Sequence, residues 1–479
     1  MNKRDIIELD ITDYAFEGKG IAKIEKEPGT DKKYVIFANG SYPGDTVKVE
    51  LHRIKKSYAE GKVVEILKAS GERIEPKCKY SGICGGCKQQ DLDYEFQLKY
   101  KHEQVLDIFQ RIGGLTGFDV MTILPSEQIF FYRNKMEFSF AEKRWLYPEE
   151  IEKYDKIKDQ KFALGLHIPR MFDKVLDIDE CFLQSEESNK ILNFTREFFK
   201  SRNETIYSTK THAGYLRHLV IKQAHKTDDL MVNIVTSEEN DELMKSYTIE
   251  LMAEVPQITT VVNNINEKKA QVAIGDFEHV YSGNGVIFDK IGGFLFRISP
   301  NSFFQTNTLQ AENLYQTALD FAEFKGDEVV YDLYSGAGTI SIFVSKFVKE
   351  VYGFESVEPA VEDAKTNIEL NKITNVHPLL ANLDKSFLEM LGNENIPVPD
   401  VVIADPPRSG MNPKTVNDLI KLSPRKIVYV SCNPATQARD IKLLVEEGNY
   451  KLIKIRPVDM FPHTYHIENV ALLERKVSE

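Results

Sequence analysis

The chain is predicted to end in an α/β fold built on a parallel sheet, preceded by a small β-barrel and a mostly β middle. From about residue 300, short apolar runs (VVYDLY, EVYGFES, DVVIAD, KIVYVS) alternate with helical patterns. Apolar strands separated by helices mean a parallel sheet covered on both faces. Over residues 1–70 the period is two, with turn signals at Glu17-Gly18-Lys19-Gly20, Ala38-Asn39-Gly40 and Tyr42-Pro43-Gly44-Asp45, as in a small barrel. The length of 479 residues suggests about three domains, which we divide at 1–70, 71–298 and 299–479.

Residues 33–37 and 46–51 alternate as barrel strands do. The whole chain has a net charge of −12, which argues mildly against a nucleic-acid partner. Phosphate contacts depend on local clusters instead. Residues 1–70 hold 13 Lys/Arg against 12 Asp/Glu, with Arg53, Lys55, Lys56 and Lys62 grouped. Residues 91–112 show a helical pattern with Tyr94, Leu98, Val105, Ile108 and Phe109 on one side, stopped by Gly113-Gly114. Residues 118 to 298 read mostly as strands, such as 135–140 and 218–223, with a helix near 185–200. The charged stretch 142–161, which carries the single Trp, reads as a surface insertion. A helix near 307–324 opens the last third. No apolar run reaches the length of a membrane span, and the charged start MNKRDIIELDITDY lacks a signal-peptide core. The cytoplasm is the expected compartment.

The five cysteines divide four to one. Cys78, Cys84 and Cys87 lie in the glycine-rich loop KCKYSGICGGCKQQ, and Cys181 follows downstream. An odd count disfavours a disulfide framework. Four thiolates suit tetrahedral zinc or a [4Fe–4S] cluster, and spacing leaves both open, with the cluster preferred.

In the last third, VVYDLYSGAGTISIF is a strand, a glycine turn and a helix, and Glu355 ends the next strand, placed to accept from ribose hydroxyls. Neither a phosphate-binding loop nor the third glycine of G-x-G-x-x-G is present, so an adenosine ligand without pyrophosphate fits, and S-adenosylmethionine is one. Asp405-Pro406-Pro407-Arg408 follows DVVIAD, and Cys432 follows KIVYVS. The polar run 459–468, which ends in Glu468, is either part of a site or a solvated hairpin.

The chain resembles the TrmA/RumA family of RNA uracil-5-methyltransferases, specifically the RumA-like branch. The TRAM-like string FEGKGIAKI through AEGKVVEI, the cysteine loop, FYRNKMEFSF, LRHLVIK, SPNSFFQTN, DLYSGAGT, DPPRSGM, VYVSCNP and FPHTYHIENV carry the resemblance almost end to end. It implies an OB-like TRAM barrel for RNA, a central domain with a [4Fe–4S] site on Cys78, Cys84, Cys87 and Cys181, and a Rossmann-like methyltransferase domain. It also implies Gln305, Tyr334, Glu355 and Asp405 around S-adenosylmethionine, and 23S rRNA as the substrate. Tyr334-Ser335 stands where relatives often have Phe-Cys. Uracil C5 is too weakly nucleophilic to take a methyl group until a thiolate adds to C6, and a base must then remove the C5 proton. Cys432 as nucleophile and Glu468 as proton acceptor supply that pair.

Other readings fit less well. A cytosine-5-methyltransferase would carry a second Cys in a Pro-Pro-Cys motif, and DPPRSG has none. An amino-methyltransferase would place an aromatic residue where Arg408 stands. A radical methylthiotransferase needs C-x3-C-x2-C, which the five residues between Cys78 and Cys84 break. A non-catalytic RNA-binding factor would have no need of Cys432 and Glu468, and a tRNA uridine is the alternative substrate.

Overall fold

The computed structural model describes residues 1–25, 33–151, 161–169, 171–393 and 395–476. The insertion expected at 142–161 therefore lies partly outside the described residues. None of the helices among the described residues is long and apolar enough to cross a membrane.

Strands β1 (Ile6–Asp10), β2 (Asp13–Ala15), β3 (Lys19–Glu25), β4 (Lys33–Asn39), β5 (Thr46–Ile54) and β6 (Tyr58–Lys68) form one sheet in the order β1-β5-β6-β4-β3-β2. The period-two pattern is the cause: Tyr34, Ile36 and Ala38 alternate into the barrel core, as do Val47, Val49 and Leu51. The barrel docks onto helix α1 (Tyr94–Asp107) through Tyr14, Tyr42, Leu92 and Tyr100. Arg73 fixes the joint, bonding Asp45 and Asp91 and lying over the Tyr42 ring.

Helix α1 buries part of its expected face: Val105, and Ile108 and Phe109 just beyond the helix, are buried as expected. Tyr94 and Leu98 are only partly covered, whereas the buried face is Gln97, Tyr100, Lys101, Gln104 and Val105. Three of those five are long polar side chains, which apolar periodicity does not mark: Lys101 and Gln97 bond Asp459 and His463 far downstream, and Gln104 donates to the Tyr14 and Ala15 carbonyls of the barrel. A π-helical turn, Ile108–Ile112, continues the helix and lays Ile108 and Phe109 into the core of the last domain. The short strand β7 (Asp119–Val120) then joins the edge of that domain's sheet.

The middle sheet has the order β10-β9-β8-β11-β12-β13-β14. Its strands are β8 (Lys135–Ala141), β9 (Ala163–Ile168), β10 (Met171–Asp177), β11 (Leu216–Gln223), β12 (Leu230–Thr236), β13 (Thr260–Ile265) and β14 (Phe277–Ser282). A short helix α2 (Pro148–Ile151) precedes β9, and helices α3 (Glu186–Ser201) and α4 (Asp241–Glu254) cover one face. Hairpin β15 (Ile287–Ile291) and β16 (Phe294–Ile298) packs with helix α5 (Thr308–Ala322) in the core of the last domain. The 298/299 division along the chain is thus crossed by packing at the hairpin and at residues 108–124.

In the last domain β17 (Val329–Leu333), β18 (Glu350–Glu355), β19 (Val376–Leu380), β20 (Val401–Ala404) and β21 (Lys426–Ser431) are parallel. The sheet runs β19-β18-β17-β20-β21-β23-β22-β7, with β23 (Glu468–Arg475) antiparallel between β21 and β22 (Tyr450–Val458). Helices α6 (Thr339–Val344), α7 (Glu358–Leu370), α8 (Leu388–Asn393), α9 (Pro413–Leu422) and α10 (Pro434–Glu447) alternate with the strands. Both faces are covered, so Val428 and Val430 enter one core and Ile427 and Tyr429 the other.

The segment 459–468 is packed, not a solvated hairpin. Lys101 Nζ donates to Asp459 Oδ1 at 2.6 Å and to the Phe461 carbonyl at 3.2 Å, with both ionic side chains almost fully buried. Tyr94 Oη donates to the other oxygen of Asp459 at 2.8 Å. Removing one member of a buried pair strands the other charge, at a cost of about 3–5 kcal/mol. Lys101→Met should therefore lower stability to urea by about that much, and adding Asp459→Leu should restore most of it. A single variant as stable as the parent would mean that the pair is no anchor.

Candidate active site

The site forms where β17, β20 and β21 end, the edge at which ligands bind in such sheets. Each strand passes into a turn that carries functional groups: residues 334–338, 405–408 and 432–433. In the first turn Gly338 caps α6 at φ +78°, with space for a Cβ only 3.2 Å from Ala364 Cβ. Tyr334 also takes a positive φ, +67°, which is costly for a residue with a side chain. Its ring turns into the core beside α9, so its backbone is what enters the turn. Glu355 accepts from Gly336 N at 2.9 Å and from Ser356 N and Val357 N at 2.7 and 2.8 Å. Its carboxylate is thus fixed at the end of β18.

Gln305 belongs to the loop after β16. Asn134, before β8, holds that loop by donating Nδ2 to the Gln305 carbonyl at 2.7 Å and to Thr308 Oγ1 at 2.8 Å. Gln305 neighbours Tyr315, whose hydroxyl stands 3.0 Å from Thr339 Oγ1 and near Asp332 and Asp405. Gln305 and Asp405 therefore come together; Tyr334 contributes backbone and Glu355 the next strand end.

Cys432 and Glu468 meet through strand register. Ser431 pairs with Asn469 across the antiparallel β21–β23 ladder, so the next residues outward are Cys432 and Glu468. Glu468 also pairs with Val458 of β22, which fixes it from the other side. Burial is the main influence on both groups. It pushes the Cys432 thiol up to about 11, helped by the charges of Glu468 and Asp405 and opposed by Arg408. It raises the Glu468 carboxyl well above the carboxylate range, again with Asp405 adding and Arg408 opposing. Asp405 and Asp332 are each raised to about 7 by burial, with Asp332 adding to the shift of Asp405 and Glu355 to that of Asp332.

Two groups in this setting escape sequence reading. Arg408 is the cation that opposes the shifts of Cys432 and Glu468; it donates to His466 Nδ1 at 2.5 Å, while its carbonyl accepts from Asn433 Nδ2 at 3.0 Å. Asp332 is buried, bonded at one oxygen to Ser341 Oγ at 2.6 Å, and has no partner for the other oxygen. A charged residue inside the apolar strand VVYDLY is the signal that could have found it.

Cys78, Cys84, Cys87 and Cys181 line one cavity of about 930 Å³, with Arg133, His167 and Tyr465 among the other walls. Gly86 N donates to Cys84 Sγ at 3.3 Å and Gln90 Nε2 to Cys87 Sγ at 3.5 Å. Burial pushes the Cys87 thiol up to about 12 and that of Cys181 to about 11, with the other cysteines adding. Among the described residues no three His, Cys, Asp or Glu side chains close on a point that would hold a single ion. The same loop touches the segment 459–468, where Lys88 N and Gln89 N donate to the His463 carbonyl at 2.8 and 3.0 Å.

Residues 223–476 match the tRNA (Uracil-5-)-methyltransferase family and residues 2–64 the TRAM domain. An uncharacterized RNA methyltransferase of Chlorobaculum tepidum is 42% identical over 99% of this chain and 97% of its own. One from Bacteroides thetaiotaomicron is 42% identical over 96% of this chain and 99% of its own. A solved structure, the tRNA (uracil-54, C5)-methyltransferase of Pyrococcus abyssi in complex with S-adenosyl-L-homocysteine, aligns with a TM-score of 0.73 and 30% identity. That alignment spans 98% of this chain and all of the other. Fold and sheet-edge site together define a methyltransferase of the Rossmann-like class, joined to an RNA-binding barrel. The chain belongs to the TrmA/RumA-type family of RNA uracil-5-methyltransferases.

Because Glu468 and Asp405 raise the Cys432 thiol and Arg408 lowers it, its alkylation should respond to each charge separately. Mass spectrometry of the Cys432 peptide after iodoacetamide pulses should show a rate that still climbs well above the ordinary thiol value of about 8.5. Glu468→Gln should move that profile to lower pH and Arg408→Met to higher pH. A profile that levels off at the ordinary value and ignores both substitutions would contradict this electrostatic account.

Proposed function

We propose that the protein transfers a methyl group from S-adenosylmethionine to C5 of a uridine in RNA, with Cys432 as nucleophile and Glu468 as base. The observation that carries this is the register that sets Cys432 opposite Glu468 at the carboxyl edge of the sheet, beside Asp405. The uridine must leave its stack to bring C6 to a thiol recessed there. The Cys432 thiolate forms a bond to C6, the C5–C6 π electrons move onto C5 and O4, and C5 becomes the nucleophile. The donor supplies an electrophilic methyl group. The Glu468 carboxylate then removes the C5 proton, and the freed pair restores the C5–C6 double bond as the thiolate leaves. Gln305, the Tyr334 backbone, Glu355 and Asp405 would hold the donor. A cationic donor fits this edge, because positive charge favours ionisation of Asp405 and Glu468, whose carboxyls burial raises.

Cys432→Ala should bind RNA and donor but give neither adduct nor 5-methyluridine. Glu468→Gln should add and methylate, then stall as a denaturation-resistant complex with methylated RNA, because the C5 proton stays. RNA carrying 5-fluorouridine should trap the parent protein on Cys432 in the same form. Full activity of Cys432→Ala, or an adduct on another residue, would overturn the assignment; normal turnover of Glu468→Gln would move the base to another group.

Cys78, Cys84, Cys87 and Cys181 fit a [4Fe–4S] cluster, since four thiols share one cavity and two sulfurs already accept hydrogen bonds. The cluster would tie the loop 78–87 to Cys181 at the start of the α3 approach. Protein purified without oxygen should be brown and contain iron; a colourless preparation with one zinc and no iron would reject the cluster. By family resemblance, TRAM together with the four cysteines favours ribosomal RNA as substrate, specifically 23S rRNA. Mapping 5-methyluridine in rRNA and tRNA from a deletion strain tests this, and loss confined to tRNA would transfer the assignment to the substrate named for the Pyrococcus relative.

A further inference from the structure

Lys222 of β11 is almost fully buried, at 4% exposure, and no described carboxylate makes an ion pair with it. Its ammonium donates to the carbonyls of Ser299 and Ser302 at 2.7 and 2.9 Å, two acceptors for three N–H groups. In the antiparallel β11–β8 ladder the residue directly opposite Lys222 is Lys135. Like charges at facing positions repel, and buried charges are ordinarily paired. Burial first, and then Lys135, pulls the Lys222 ammonium down to about 7, with Asp363 and Glu278 pulling weakly the other way. Lys135 has one carboxylate, Glu137 on its own strand at 3.7 Å, and both of those side chains are exposed.

Both lysines line a cavity of about 70 Å³, together with Ser302, Thr306 and Phe303. That volume equals about two water molecules at ~30 Å³ each, which suits phosphate oxygens and not a nucleobase. Phe303, on its rim, is 73% exposed, so the cavity is open to solvent. Its roof is the loop 299–306, which carries Gln305.

We propose that the facing pair Lys135 and Lys222 is a binding site for a backbone phosphate of the RNA, next to the loop that borders the donor pocket. An anion between the two ammonium groups removes their repulsion and supplies the acceptor that Lys222 lacks. This rests on RNA being the substrate. A donor carboxylate is the other candidate anion, and it separates in the test.

Full-length Lys135→Met and Lys222→Met are compared with the parent for RNA affinity across a salt series and for S-adenosylmethionine affinity by calorimetry. Each loss of the contact should lower the slope of log affinity against log salt by about 0.7 to 0.9, the value of one phosphate. Affinity should fall for unrelated RNA sequences as well, and Lys135→Met should leave donor affinity unchanged. Lys222 also supports the loop 299–306, so if its variant unfolds, Lys135→Met decides alone. An unchanged slope for Lys135→Met overturns the proposal, as does a fall in donor affinity with an unchanged RNA slope. If the parent binds no RNA, the functional reading fails instead, and the parent control makes that visible.

Discussion

The active site depends on one buried ion pair. Lys101 reaches from α1 to Asp459, and the two charges sit where water does not screen them. Around them Gln97 accepts from His463 N at 2.8 Å, Tyr132 Oη donates to the Pro462 carbonyl at 3.1 Å, and Asn307 Nδ2 to the Met460 carbonyl at 3.0 Å. His463 itself holds a positive φ of +65° and lies tilted against Phe130, 4.5 Å between ring centres. A backbone conformation this unfavourable persists only when its surroundings over-determine it. Residues from three parts of the chain do so, and the segment they immobilise ends in Glu468.

The same arrangement explains how a carboxylate and a thiol can face each other without wasteful ionisation. Burial at the sheet edge favours the protonated forms of Glu468 and Cys432. Arg408 is the cation poised against that tendency, and His466, held neutral at about 4 by burial and by Arg408, accepts from it. A positive charge brought to this edge would favour the ionised forms of these groups.

The cysteine loop takes part in this architecture as a brace. It meets the barrel through Gln89 and Tyr14, 3.0 Å apart, and the segment 459–468 through the His463 carbonyl. Barrel, loop and site are joined by hydrogen bonds among residues 14, 89, 97 and 463. The barrel is therefore fixed relative to the segment that ends in Glu468.

The sequence by itself determined the barrel, the parallel strands and the residues at their ends. Period-two and continuous apolar runs are local signals, and the glycine turn, Asp405 and Cys432 follow their strands directly. It also marked the four cysteines, whose clustering in one cavity needed the fold. What only the tertiary structure decided was set by contacts across long separations. The strand order and antiparallel β21–β23 ladder put Cys432 against Glu468, 36 residues later in the chain. The polar face of α1 is buried because Asp459 and His463 come to meet it, 358 and 366 residues from their partners. Hydrophobic periodicity reports which surface leaves water on average; it is silent about a lysine that is buried because one particular carboxylate waits for it.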